Sequence, residues 1–88
     1  MARKLTFTPK GWDDFNYWMH DKDVFEKLKG LLQECQRTPT EGTGKPHRLT
    51  GNLNGCWARK VTSKDRVVYS FDNDAVTIYA CKGHYDDH

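Results

Sequence analysis

His84, followed directly by Tyr85, and Arg66, placed ahead of the apolar run Val67, Val68 and Tyr69, are the residues of this chain best suited to acid–base and anion chemistry. An imidazole with an unperturbed pKa of about 6.5 populates both protonation states at cellular pH, and an arginine offers a fixed, forked charge that matches phosphate. A tyrosine stacks on a base or donates its hydroxyl. Together with a base, these are the parts needed to break an RNA phosphodiester internally. One group deprotonates the ribose 2′-OH, cationic donors hold the pentavalent phosphorane, and an acid protonates the departing 5′-oxygen. A second histidine, His47, follows Lys45-Pro46 and reads either as a proton shuttle or as a merely exposed side chain. Position alone favours a frayed His84 and a Tyr85 that caps the core, and leaves Arg66 equally suited to a surface ion pair.

A net charge of +2 over 88 residues does not mark a strongly basic nucleic-acid binder. The distribution says more. Between positions 45 and 66, Lys45, Arg48, Arg59, Lys60, Lys64 and Arg66 stand against a single acid, Asp65, with His47 and Trp57 among them. That pattern suits an RNA backbone or a solvated hairpin. Cys35, Cys56 and Cys81 are odd in number and scattered, which argues against a disulfide framework and for small apolar packing in a reducing compartment. No Cys-x-x-Cys pair is present, and no metal or other cofactor is expected. Gly42-Thr43-Gly44-Lys45-Pro46 lacks the flanking strand and helix of a nucleotide loop. With no apolar run of roughly 20 residues and no signal-peptide stretch, a soluble cytoplasmic protein is expected, without a membrane partner.

The elements that must position these residues are legible in outline. Residues 5–7 alternate as a short strand, and Thr8-Pro9 starts a helix carrying Trp12, Phe15, Tyr17, Trp18 and Met19, with Gly11 lowering its propensity. Asp21 caps a second helix whose Val24, Leu28, Leu31, Leu32 and Cys35 form one apolar stripe, ending near Arg37-Thr38 before Pro39. Nearly no loop separates the two, which predicts an antiparallel helical hairpin. Residues 39–55 hold four glycines and two prolines and read as a long irregular connection pinned by Leu49 and Leu53. Runs at 56–61, 66–71 and 75–81, separated by two turn sequences, predict a three-stranded antiparallel meander. Trp57, Arg59 and Val61 share one face of the first strand, and Arg66, Val68 and Ser70 one face of the second. With helices covering a single sheet face, the other is expected to carry charged residues such as Arg59 or Arg66 into a concave surface.

In order, Trp12-Asp13-Asp14 with Tyr17-Trp18, Arg37-Thr38-Pro39, Glu41-Gly42-Thr43-Gly44-Lys45-Pro46, Leu49, Asn52-Leu53, Gly55, Trp57, Arg59, Arg66-Val67-Val68-Tyr69, Ala80-Cys81 and His84-Tyr85 strongly resemble the YoeB/Txe toxins of the RelE superfamily. The resemblance runs from about residue 5 to residue 85. It implies an α+β fold of order β-α-α-β-β-β, a two-helix hairpin on a small, mainly antiparallel twisted sheet, as one RelE-like domain over 1–88; Asp86-Asp87-His88 departs from members that stop at the tyrosine, and 86–88 is expected to be a flexible tail. It also implies a ribosome-dependent endoribonuclease that cuts mRNA in the decoding site without a metal. Implied partners are the ribosome with its mRNA, a YefM-like antitoxin, a second copy in a homodimer, and operator DNA reached only through the antitoxin.

Carried over by position, the resemblance makes Arg66 the phosphate-stabilising residue, His84 the general acid and Tyr85 the substrate-positioning residue. Lys45 and Arg59 match basic positions on the RNA, and Arg48, Lys60 and Lys64 extend that charge. The chain departs from the family pattern at His47, where better-known members have a glutamate as base, so His47 is the candidate base in its place. The alternative reading is a catalytically weak binding module that serves as antitoxin partner and transcriptional co-repressor.

Overall fold

The computed structural model describes residues 2–84. The elements run β1 (Lys4–Phe7), α1 (Pro9–Tyr17), α2 (Lys22–Arg37), β2 (His47–Arg48), β3 (Trp57–Lys60), β4 (Arg66–Phe71) and β5 (Ala75–Ala80), with 3-10 turns at Trp18–His20 and Gly51–Leu53. Two helices pack on a five-stranded mixed sheet of order β1-β5-β4-β3-β2, the expected α+β class. The predicted meander is present as β3-β4-β5, antiparallel throughout. β1 adds to it in parallel with β5, pairing Leu5 with Val76 and Phe7 with Ile78.

Local chemistry sets the helix starts. The Thr8 hydroxyl accepts from the Gly11 N–H at 3.1 Å with Pro9 in the first turn, and the Asp21 carboxylate accepts from the Val24 N–H at 3.3 Å. Both contacts satisfy N–H groups that a helix cannot pair internally. One 3-10 turn links the helices, which meet through the rings of Phe15 and Phe25, 5.0 Å apart. Gly11 is in α1 for packing. A Cβ there would lie 2.2 Å from the Ile78 carbonyl oxygen, so only glycine lets the helix approach β5 this closely.

The core forms between the helices and one sheet face, where Leu28, Leu31, Leu32 and Cys35 of α2 meet Val67, Tyr69, Val76 and Ile78. A smaller cluster of Leu49, Ala58 and Val68, with Leu53 and Ala80 against it, occupies the opposite face. Leu49 and Leu53 therefore pin the 39–55 connection as expected, although the connection is less irregular than its composition suggests: it contains β2 and a 3-10 turn. The three cysteines are free thiols. Burial pushes Cys35 up to about 11 and Cys81 up to about 12, so both pack as neutral apolar groups. Among the described residues no helix is long and apolar enough to cross a membrane.

Candidate active site

Residues directly opposite one another in a ladder project to the same side of the sheet. His47 is opposite Ala58, Ala58 opposite Val68, and Val68 opposite Ala80, while Lys60 is opposite Arg66. Alternation along β3 and β4 then places His47, Lys60 and Arg66 on the face turned away from the helices. Arg48 is opposite Trp57, which packs against the helix-side core, so Arg48 projects to the other face.

An irregularity between β4 and β5 shapes the middle of this surface. Val68 pairs with Ala80 but Tyr69 with Ile78, which leaves Tyr79 as an extra residue in β5. Such a bulge re-aims side chains. Here it puts Tyr79 beside Ala80, with its hydroxyl 2.9 Å from Ser70 Oγ. The result is a cleft of about 300 Å³ lined by Lys10, Leu53, Arg66, Val68, Tyr79, Ala80, Lys82, Gly83 and His84. Among the described residues no acid lines it. An apolar floor with a cationic rim and one imidazole has the chemistry to receive an anion and to move a proton at its edge.

Arg66 and His84 are thus brought together. Arg66 is half-buried, and its Nη1 donates to the carbonyls of Thr62 at 2.9 Å and Asp65 at 3.0 Å. His84 is exposed at the cleft and follows Gly83, whose carbonyl accepts from the Arg66 backbone N–H at 3.1 Å. Tyr85, assigned to substrate positioning, and the 86–88 tail lie outside the described residues.

His47 is exposed, and its Nδ1 lies 3.0 Å from the Lys45 carbonyl oxygen. A carbonyl only accepts, so in this contact Nδ1 carries the hydrogen and donates it. Lys45, Lys60 and Lys64 are exposed, as is Arg48. Lys45 adopts a left-handed backbone with φ 54°.

Arg59 corrects the expectation drawn from charge and resemblance. Its side chain is fully buried, with 0% exposure, on the helix-side face shared with Trp57 and Val61. The guanidinium donates to Tyr69 Oη at 3.1 Å, Glu34 Oε1 at 2.7 Å, Thr43 O at 3.2 Å and Glu41 O at 2.9 Å, and also to Thr38 O. A group with every face so engaged and no surface left cannot take an RNA phosphate. Alternation identified the face correctly. Which face the helices cover decides the role.

Lys10, Lys82 and Tyr79 line the cleft without having been singled out in the sequence. Lys10 ion-pairs with the buried Asp14 at 2.9 Å, and the Lys82 ammonium lies 4.1 Å from the centre of the Tyr17 ring. Tyr79 alone had a signal, its alternation with Thr77 along the strand.

Residues 7–85 match the family described as YoeB-like toxin of bacterial type II toxin-antitoxin system. The chain is 42% identical over 83 residues to toxin YoeB of Escherichia coli K12, covering 93% of this chain and 99% of that one. It resembles the solved YoeB dimer of Staphylococcus aureus with a TM-score of 0.87 at 34% identity, covering 97% of this chain and 100% of that one. The YoeB-YefM complex of the same organism gives 0.85 at 33% identity, with 97% and 100% covered. A full-length match of this kind fixes the family: the chain belongs to the YoeB-like toxins of bacterial type II toxin-antitoxin systems.

Proposed function

We propose that this toxin is a ribosome-dependent endoribonuclease that cleaves mRNA in the decoding site and so inhibits translation. The observation that carries the reading is the shared cleft of Arg66 and His84, rimmed by Lys10 and Lys82 and lined by no acid among the described residues. The base, His47 Nε2 in this reading, takes the 2′-OH proton. The freed oxygen attacks phosphorus, a 2′,3′-cyclic phosphate forms, and the P–O5′ bond breaks as His84 protonates the leaving oxygen. Arg66, anchored through Nη1, offers Nε and Nη2 to the phosphorane oxygens, where fixed donors matter most. Tyr85 orients the substrate. Lys45, Arg48, Lys60 and Lys64 neutralise neighbouring phosphates, with Arg48 approaching from the edge strand β2. A net charge of only +2 favours a substrate presented by the ribosome over capture of free RNA.

The partners in this reading are a YefM-like antitoxin and a second copy of the chain, supported by the Staphylococcus aureus YoeB-YefM complex and YoeB dimer. Operator DNA is reached through the antitoxin, and the site of action is the cytoplasm. The test is purified chain added to translating ribosomes. Truncated mRNA is expected with the unmutated chain, and His84→Ala lowers the rate by about 10²-fold or more, the usual share of a general acid. Intact mRNA in the presence of the unmutated chain rejects this reading and assigns the cleft to antitoxin binding alone.

A further inference from the structure

The residues just before His84 have left the sheet, and side chains from elsewhere hold their backbone. The Cys81 N–H donates to Asp14 Oδ2 at 3.0 Å, and its carbonyl accepts from Trp18 Nε1 at 2.8 Å. Two residues later the Gly83 N–H donates to Asp65 Oδ1 at 2.6 Å. Asp65 also serves the turn before β4. Its Oδ2 accepts from the Thr62 hydroxyl at 2.6 Å, and its carbonyl accepts from the Val61 N–H at 2.9 Å and from Arg66 Nη1 at 3.0 Å. That turn is closed without Gly83. The carboxylate oxygen aimed at Gly83 therefore joins the Arg66 N–H bond to the Gly83 carbonyl, 3.1 Å, in linking the turn that seats the Arg66 guanidinium to the backbone that carries His84, and it is the side-chain half of that link.

We infer that Asp65 is a positioning residue, fixing the imidazole of His84 at a set distance from Arg66 by holding the Gly83 amide. This rests on the reading of His84 and Arg66 as the acid and the phosphate-binding pair. A carboxylate suits the task because it accepts on both oxygens and its hydrogen bonds to N–H are short and strong. Gly83 suits its end of the link because its φ of 83° is left-handed, a conformation that a side chain would strain. Without the carboxylate, Gly83 is held by its carbonyl alone, and its backbone torsions gain the range to carry His84 away from the cleft. Displacements of about 1 Å at a reacting group cost roughly 10²-fold in rate.

The experiment compares Asp65→Ala, Asp65→Asn and Thr62→Ala in the full chain, reading amide exchange at Gly83 alongside kcat and KM for mRNA cleavage on ribosomes. Asp65→Ala should speed Gly83 exchange about 10-fold or more and lower kcat by about 10- to 100-fold with KM within about two-fold. Asp65→Asn, whose amide oxygen still accepts from Gly83, should restore most of kcat. Thr62→Ala loosens the turn but leaves Oδ1 in place, and should cost far less than Asp65→Ala. Equal losses in all three variants, in step with their melting temperatures, would reduce Asp65 to a structural residue and overturn the inference. So would unchanged Gly83 exchange or unchanged kcat in Asp65→Ala. If the unmutated chain leaves mRNA intact, the nuclease reading fails and the Gly83 exchange still decides whether Asp65 holds the His84 segment.

Discussion

Arg59 and Tyr69 meet in the interior through a 3.1 Å hydrogen bond from the guanidinium Nε to the phenol oxygen, and neither side chain has any exposed surface. Tyr69 passes the connection on by donating to the Pro39 carbonyl at 2.6 Å. With the Arg59 bonds to Thr38, Glu41 and Thr43, this ties the start of the 38–43 loop to β3 and β4 from beneath. The loop leads directly to Lys45 and His47. A cation that resembles an RNA ligand in sequence is thus the fastening of the segment that carries the candidate base.

Arg59→Met is expected to destabilise the protein by about 3–5 kcal/mol, because it strands the Glu34 carboxylate and several carbonyls without their donor. Arg59→Lys should recover only part of this, since one ammonium cannot span acceptors arranged around a fork. Urea denaturation measures both. Cleavage activity should fall at least as far as the folded fraction falls, while ribosome binding by the folded protein is kept. A folded, fully stable Arg59→Lys protein that has lost ribosome binding would return Arg59 to the RNA interface.

Acid should weaken the same fastening. The Thr43 backbone N–H, helped by the Thr43 hydroxyl and Arg59 and opposed by partial burial, holds the Glu34 carboxyl below its ordinary 4.5. A carboxyl whose pKa is lower in the folded state binds protons less readily there than in the unfolded chain. Its contribution is complete above about pH 4.5 and disappears as pH falls through the depressed folded value. Glu34→Gln is expected to cost about 1–2 kcal/mol at pH 7 and to converge on the unmutated protein toward pH 3. Asp72, lowered by the N–H groups of Ala75 and Asp74, leaves a residual acid slope in that variant. Thermal melts at intervals from pH 7 to pH 3 check the convergence, and parallel curves would remove Glu34 from the account.

The elements visible in the sequence are those with local causes. Thr8 and Asp21 cap within three residues, and Leu28, Leu31, Leu32 and Cys35 repeat at helical spacing, so both helices start where predicted and α2 ends there too, while Trp18 and Met19, expected in the first helix, lie in the 3-10 turn that follows it. β4 was bounded at both ends by turn residues. The parallel pairing of β1 with β5 joins Lys4 to Ala75, and no local pattern encodes a contact that distant. β2 is two residues long, too short for a period to show. The candidate site divides the same way. Arg66 and His84 stood out by residue type and resemblance, whereas Tyr79 needed the bulge, Lys10 and Lys82 needed the packing of α1 on β5, and Arg59 needed to know which face the helices cover.

The two helical glycines should respond to alanine in opposite directions. In α1, Gly11→Ala forces a Cβ against the Ile78 carbonyl oxygen at 2.2 Å, and backbone cannot swing aside. The gain in helix propensity of about 1 kcal/mol is outweighed by overpacking, for a net loss of about 1–2 kcal/mol. In α2, a Cβ at Gly30 meets nothing within 4 Å, so Gly30→Ala should stabilise by about 0.5–1 kcal/mol. For a domain of this size each kcal/mol moves the melting temperature by about 4–8 °C, well within the reach of calorimetry. A stabilised Gly11→Ala would mean that α1 does not press on β5 as described.

Lys45 sets stability against function. It holds a left-handed φ of 54°, in a run where Gly42 and Gly44 supply positive φ without a side chain to strain. For an L-residue that conformation costs about 1–2 kcal/mol. Glycine relieves it, although part of the gain is lost to the greater freedom of the unfolded chain. Lys45→Gly is therefore expected to raise stability by about 0.5–1 kcal/mol. If the lysine is kept for its charge, the same change should weaken ribosome-dependent cleavage through KM, leave kcat nearly unchanged, and lower the salt slope of binding by about one ion. Higher stability together with an unaltered KM and salt slope would show that the strained lysine contacts no phosphate, and would leave Lys60 and Lys64 to carry the backbone charge.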